Sequence, residues 1–189
     1  MFDSSLAIKK LAYLGVFAAF SIALELFIHF PIIPAAPFLL YAPGDLPMLF
    51  AAIIISPIAG LLVAATTSIL FVIITGQGGP WGMLMHFLAS GLFVIVASYV
   101  FNTFKKKNKT DIYLLIAALV IGTLSRAAIM IPANLLITPI YLKVKVEIVR
   151  NMLLPAIIPF NLIYGSINTA VFAIIYLPLK QYLDKGLSS

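Results

Sequence analysis

The chain alternates between long apolar runs and short breaks that are polar or rich in proline. Each long run exceeds the ~20 residues that a helix needs to cross the ~30 Å apolar core of a bilayer, or comes close to that length. One run is shorter and would not cross the core alone. We predict one transmembrane helix for each run, at residues 6–30, 45–56, 57–75, 81–104, 111–138 and 152–183. The fold class predicted is therefore all-α, an integral membrane bundle of six transmembrane helices.

The breaks between these runs differ in chemistry. Residues 31–44 contain four prolines and cannot form a helix. They are otherwise apolar, so we expect a loop that lies at the membrane interface or folds back into a cavity, since unpaired backbone is not tolerated in lipid. Residues 76–82 (GQGGPWG) predict a tight turn, and residues 139–151 predict a polar loop. Asp45 is predicted to cap the short helix that follows the proline-rich loop.

Composition supports a membrane protein and excludes most other classes. Hydrophobic residues make up 63% of the chain and charged residues 10%, against about 25% charged in soluble domains. A soluble domain could not cover this much apolar surface, and disorder requires the opposite composition. We therefore predict a single transmembrane domain over residues 1–189. Cysteine is absent and only two histidines occur, so neither a disulfide nor a metal site is predicted.

The net charge of +6 is distributed unevenly across the predicted topology. Eight basic residues fall on the side of the termini: Lys9, Lys10, Lys105, Lys106, Lys107, Lys109, Lys180 and Lys185. Three fall on the other side: Lys143, Lys145 and Arg150. The positive-inside rule then predicts that both termini are cytoplasmic and that the loops at 31–44, 76–82 and 139–151 face outward. Few, scattered charges favour contact with membrane lipid and do not favour a nucleic-acid partner.

The few polar residues inside the apolar runs carry most of the information about the site. Arg126, Asn134 and Thr138 share one face of the fifth predicted helix. Arginine cannot face lipid cheaply, so this face is expected to point into the bundle. We predict a buried ion pair of Arg126 with either Glu25 or Asp45.

A second polar face lies on the last predicted helix, where Asn161, Tyr164 and Asn168 are spaced for one side. His86 and Ser90 share a face of the fourth helix, and we predict that His86 bonds to Ser90 or to a backbone carbonyl. The asparagines are either interhelical hydrogen bonds or ligand contacts.

Asn134 and Asn161 fall in the predicted outer halves of their helices. Amides without a strong charge suit an uncharged ligand that forms hydrogen bonds. Phe38, Tyr41 and Trp81 add aromatic surface at the same level, either as an interfacial belt or as walls of the site.

Gly15, Ala19 and Ala23 place a small residue at every fourth position of the first helix. Such a stripe lets another helix approach closely, either a neighbouring span or a separate subunit. No phosphate-binding loop or catalytic motif occurs, so we predict that the chain is not an enzyme. An active importer built on it would need an ATP-hydrolysing partner.

Three features together resemble a known family: the small-residue stripe, the segment FLLYAPGDLPML (residues 38–49) and the segment MLLPAIIPFNLIYGSIN (residues 152–168). They are similar to the riboflavin-specific S components of energy-coupling factor (ECF) vitamin transporters. This resemblance implies a multi-pass protein of the cell membrane that binds riboflavin at the extracellular side. It also implies docking through the first helix onto a transmembrane scaffold subunit that carries two ATPase subunits.

Riboflavin is then a transported ligand, and no cofactor is predicted. FMN is a second candidate ligand, with Lys143, Lys145 or Arg150 near its phosphate. The predicted ligand-binding residues are Leu40, Tyr41, Asp45, Gly79, Trp81, Asn134, Asn161 and Tyr164. Three alternatives remain at this point: an S component for another vitamin, a stand-alone channel or secondary transporter, and a structural membrane protein without a ligand.

Overall fold

The computed structural model describes residues 4–34, 36–105 and 112–186. Its elements are α1 (Ser4–Phe27), β1 (Phe30–Pro31), β2 (Leu40–Tyr41), α2 (Asp45–Ile54), α3 (Pro57–Thr75), α4 (Gly79–Phe104), α5 (Ile112–Leu142), α6 (Val146–Met152), a π-helical turn (Leu153–Ile157) and α7 (Ile158–Gly186). Lys106, Lys107, Lys109 and the predicted start of the fifth helix at Asp111 lie outside the described residues.

Five of these helical segments are long and apolar enough to cross a membrane, and α2 is a shorter apolar helix. The predicted all-α, multi-pass membrane bundle is therefore confirmed. The cytoplasmic placement of both termini stays a prediction.

The short helix α2 and the helix α3 form a hairpin with almost no loop. Ser56 precedes α3, and its hydroxyl accepts a hydrogen bond from the Ala59 N–H at 3.1 Å. Pro57 occupies the first turn, where its missing N–H costs nothing. A serine cap followed by proline thus starts α3 immediately after α2 ends.

The predicted turn between α3 and α4 is confirmed and depends on glycine. Gly76 ends α3 with φ 68°, and Gly78 and Gly79 follow with φ 72° and 54°. L side chains rarely adopt these angles, whereas glycine does so without steric cost. The three glycines therefore reverse the chain within a few residues.

The proline-rich segment is not helical, as predicted, and it folds back over one end of the bundle. Its ends pair as two short antiparallel strands, with Phe30 opposite Tyr41 and Pro31 opposite Leu40. The Ser21 hydroxyl of α1 donates to the Gly44 carbonyl at 2.7 Å. The strand pairing closes the loop on itself, and the Ser21 bond ties its C-terminal end to α1.

The predicted polar loop at residues 139–151 is wrong. α5 continues to Leu142, and a turn through Lys143, whose φ is 54°, leads directly into α6. Of the polar residues that suggested a loop, Lys143 and Lys145 lie in this turn, while Glu147 and Arg150 lie on the exposed side of α6 and Val149 is buried. Pro155 lies in the π-helical turn, a wider turn of the kind that absorbs a backbone irregularity inside a long helix.

The main apolar core occupies the half of the bundle farthest from the proline-rich loop. Phe93 and Phe101 of α4 pack there with Leu115 of α5 and Phe172 of α7. Gly122 brings α4 and α5 into close contact, because a Cβ at this position would lie 2.7 Å from the Phe93 carbonyl oxygen. This tight packing contrasts with the opposite half, where the helices leave a cavity.

Candidate functional site

A cavity of about 400 Å³ lies between the proline-rich loop and the helices beneath it. This volume is within the roughly 300–1,000 Å³ of small-molecule sites. Its walls are mainly apolar and aromatic, with contributions from Phe71, Trp81, Met85, Ile137 and Phe160. Its polar wall residues include Glu25, His86, Arg126, Asn134, Asn161 and Tyr164. Five separate helices and the loop thus converge on one space.

Five of the predicted ligand-binding residues line this cavity: Leu40, Trp81, Asn134, Asn161 and Tyr164. The other three, Tyr41, Asp45 and Gly79, are not among the lining residues. Tyr41 and Asp45 are buried beside the cavity, and Gly79 is the first residue of α4. All eight therefore stay predictions as ligand contacts. Those outside the lining would influence a ligand only through the residues that line the cavity.

A buried ion pair joins α5 to α2 directly under the cavity. Arg126 Nη1 donates to Asp45 Oδ2 at 3.0 Å, and the two side chains are only 4% and 0% exposed. The predicted ion pair of Arg126 is present, and its partner is Asp45. The predicted cap at Asp45 is wrong: the cap position is Gly44, and Asp45 is the first residue of α2, where its carboxylate pairs with the guanidinium of Arg126.

The same guanidinium orients an asparagine of the cavity wall. Arg126 Nε donates to Asn161 Oδ1 at 3.1 Å, while Asn161 Nδ2 donates to the Ile157 carbonyl at 2.8 Å. On α5, Asn134 Nδ2 donates to the Met130 carbonyl at 2.7 Å. A neutral amide has two donor hydrogens and two acceptor lone pairs. Both amides are thus held in fixed rotamers and keep capacity for a ligand.

Tyr164 connects the cavity wall to the loop above it. Its hydroxyl donates to the Ala42 carbonyl at 2.6 Å, and the Arg126 guanidinium lies 3.8 Å from the centre of its ring. Tyr41 packs edge-on against this ring, with centroids 4.9 Å apart. These contacts hold the loop against α7, so Tyr164 is both an aromatic wall and an anchor.

Tyr41 makes a second contact between the same loop and α7. Its hydroxyl donates to Asn168 Oδ1 at 3.1 Å. Burial, together with the nearby Asp45 and Glu25 carboxylates, raises the pKa of Tyr41 to about 12. The phenol therefore stays protonated over the physiological range and keeps donating to Asn168.

His86 makes contacts that the sequence did not predict. Its Nε2 lies 3.1 Å from Glu25 Oε1, and its Nδ1 lies 2.7 Å from the Ser68 hydroxyl. The predicted bond to Ser90 or to a backbone carbonyl is wrong, because Ser90 instead accepts from Arg126 at 3.3 Å. Helical spacing on α4 alone could not reveal partners that come from α1 and α3.

Glu25, His86 and Asp45 form a compact cluster beside the cavity. One donor atom from each lies within 4.8 Å of the others, a grouping of potential metal ligands that the sequence did not suggest. Arg126 already contacts one of the Asp45 oxygens and supplies a positive charge to the group. That charge disfavours a further cation at the same place.

The small-residue stripe of α1 faces away from the bundle. Gly15 and Ala19 are exposed, and no neighbouring atom lies within 4 Å of where a Cβ on Gly15 would be. The buried side of α1 instead carries Ala18, Ser21 and Glu25. Gly15 and Ala19 therefore make no close internal helix contact, whereas Ala23 is half-buried, and the docking role of the stripe stays a prediction.

A multi-pass helical bundle with a mainly apolar cavity that carries a few polar groups at one end is typical of membrane proteins that bind a small molecule. Comparison with known families specifies the class further. Residues 9–176 match the family model for the ECF transporter, substrate-specific component. The chain belongs to this family, which consists of transport components.

Individual relatives agree with this assignment. The chain is 35% identical to the riboflavin transporter RibU of Streptococcus thermophilus, over 94% of this chain and 85% of the relative. It is 29% identical to the riboflavin transporter FmnP of Bacillus subtilis, over 96% and 97%. The solved S component of a bacterial ECF transporter shares its fold, with a TM-score of 0.77, 30% identity and coverage of 94% and 98%. The resemblance to S components is thus confirmed.

Proposed function

We propose that this chain is the riboflavin-binding subunit of an ATP-driven ECF importer and captures riboflavin in the cavity beneath the proline-rich loop. The observation that carries the proposal is the convergence of Asn134 and Asn161 with aromatic side chains on one cavity of about 400 Å³. The riboflavin transporters among the relatives support the choice of ligand.

The chemistry of the cavity fits this ligand. Riboflavin has a flat heteroaromatic ring with amide-like edges and an uncharged polyol chain. Apolar and aromatic walls can hold the ring, while amide groups can pair with its edges and with hydroxyls. The Arg126 charge is balanced by Asp45 at 3.0 Å, so the guanidinium does not require an anionic ligand.

Riboflavin is favoured over FMN as the main ligand. The cations proposed to meet a phosphate, Lys143, Lys145 and Arg150, are exposed near the turn between α5 and α6. None of them lines the cavity. A phosphate would therefore have to extend out of the cavity to reach them, where its contacts would be screened by water and salt.

The energy for uptake would come from partners. The stripe of Gly15, Ala19 and Ala23 on α1, of which Gly15 and Ala19 are exposed and Ala23 is half-buried, is the proposed contact with a transmembrane scaffold subunit that carries two ATPase subunits. Small residues permit close helix approach within a membrane, where van der Waals packing drives association. The exposure of Gly15 and Ala19 leaves this face available.

The decisive experiment uses the full chain purified in detergent. An absorbance spectrum should show co-purified flavin, and added riboflavin should lose its fluorescence on binding. Thiamine and biotin, which are charged at neutral pH, should not compete. Absence of quenching at micromolar riboflavin would refute the proposed ligand. Uptake by this chain alone in liposomes without ATP would instead indicate a stand-alone transporter.

A further inference from the structure

The hydrogen bonds around His86 on the cavity wall determine which of its two ring nitrogens carries a proton. Ser68 Oγ lies 2.8 Å from the Ala64 carbonyl and 2.7 Å from His86 Nδ1. A serine hydroxyl has one hydrogen, and a carbonyl oxygen can only accept. The hydroxyl therefore donates to Ala64 and accepts from the Nδ1–H of His86.

This direction fixes the other side of the imidazole ring. With Nδ1 as the donor, a neutral His86 has a bare lone pair on Nε2. That lone pair would face a carboxylate oxygen of Glu25 at 3.1 Å. Two acceptors at hydrogen-bond distance repel each other, so one additional proton is needed between Nε2 and Oε1.

Charge balance also calls for one additional proton in the cluster, and the geometry of the imidazole ring places it in the Nε2–Oε1 contact. The titratable and charged groups around His86 come from several elements. Glu25 belongs to α1, His29 follows α1, Asp45 belongs to α2 and Arg126 to α5. The phenols are Tyr41 of β2 and Tyr164 of α7. With His86 neutral, Arg126 balances Asp45 and leaves Glu25 uncompensated. Glu25 is 5% exposed, and a buried carboxylate without a counter-charge is strongly unfavourable.

We propose that Glu25 and His86 form a proton-binding pair on the cavity wall, which holds one proton in the Nε2–Oε1 contact at neutral pH. With this proton bound, the cluster has no net charge. Without it, the cavity carries one negative charge. Binding of an uncharged ligand excludes water from that charge, so the ligand binds more weakly when the proton is lost. This last step rests on the proposed function.

The protonation state can be read directly by nitrogen NMR. The chain has two histidines, so the variant His29→Gln, purified through a tag without histidine and in the presence of EDTA, leaves His86 as the single labelled imidazole. We expect a protonated Nδ1, together with either a protonated Nε2 or an infrared band of a protonated carboxyl group. A neutral ring with its proton on Nε2 would overturn the proposal.

The variant Glu25→Gln in the same background is the matched comparison. The glutamine amide can donate to a bare Nε2, so the additional proton is no longer needed. His86 should then be neutral at about pH 7, with its proton on Nδ1. An imidazolium signal that is unchanged in Glu25→Gln would also overturn the proposal.

The ligand side is tested by riboflavin fluorescence quenching. Between about pH 6 and about pH 9, the Kd of the wild type should rise about ten-fold as the pair loses its proton. The Kd of Glu25→Gln should change less than about two-fold over the same range. A wild-type Kd that is independent of pH would refute the linkage and leave riboflavin binding itself intact.

Discussion

The Arg126 guanidinium donates one hydrogen bond to Asp45 and another to Asn161, at 3.0 and 3.1 Å. One buried side chain thus joins α5 to α2 and to α7 and also sets the rotamer of a cavity amide. The stability of the bundle and the shape of the site depend on the same group.

Removal of the Arg126 charge should destabilise the protein strongly. Arg126→Gln leaves Asp45 buried without a counter-charge, and breaking a buried pair in this way costs about 3–5 kcal/mol. Unfolding in detergent, followed by circular dichroism, measures the effect. The double variant Arg126→Gln/Asp45→Asn removes both charges and should recover part of the loss. Additive effects of the two substitutions would contradict the pairing.

The cavity amides should contribute directly to ligand affinity. Asn134→Ala or Asn161→Ala should weaken riboflavin binding by about 1–3 kcal/mol, the range for buried hydrogen bonds that lose a partner. Fluorescence titration gives the Kd of each variant. Asn151 is exposed on α6, and Asn151→Ala is the matched control that should bind like the wild type. An unchanged Kd would remove the substituted asparagine from the site.

The hydroxyl of Tyr164 should slow ligand release. Tyr164→Phe keeps the ring under Arg126 but removes the bond to the Ala42 carbonyl, worth about 0.5–1.5 kcal/mol. The loop above the cavity should open more often, and the riboflavin dissociation rate in stopped-flow measurements should increase several-fold. Tyr99 is an exposed tyrosine of α4 that does not line the cavity, so Tyr99→Phe is the matched control and should leave the rate unchanged. Equal rates for all three proteins would show that this anchor does not hold the ligand.

The stripe on α1 should matter for uptake and not for binding. Ala19→Trp adds a bulky ring to an exposed face, so close approach of a scaffold helix is blocked. Riboflavin uptake by cells should be lost, while fluorescence quenching by the purified variant stays at the wild-type level. Ala128 is an exposed alanine of α5, and Ala128→Trp controls for bulk in the membrane. Loss of binding in Ala19→Trp would mean that the stripe supports the fold internally.

The bundle and its polar faces were predictable because helices in a membrane must be apolar over about 20 residues, and their few polar residues must face the interior of the bundle. Long apolar runs define the spans, and the spacing of Arg126 with Asn134 predicted a face that the structure places on the cavity. The choice of Asp45 over Glu25 as partner was not predictable, since spacing along one helix does not identify which neighbour lies opposite.

Two errors have different physical origins. The residues around Glu147 were predicted as a loop because polar residues interrupt the apolar pattern, but a short helix at the end of a bundle also exposes a polar side. His86 was expected to bond to Ser90 or to a backbone carbonyl, whereas its contacts are side chains of α1 and α3. In this second case, contacts between distant segments decide the partners, and the local pattern does not reveal them.

Helix α1 gives the bundle only a narrow buried side, yet that side includes Glu25 on the cavity wall. Its opposite side carries the bare stripe at Gly15 and Ala19. Helix α1 therefore links the membrane-exposed surface of the bundle to the cavity wall. A partner that binds α1 and tilts it would also displace Glu25 and change the shape of the cavity, and a bound ligand would oppose that tilt.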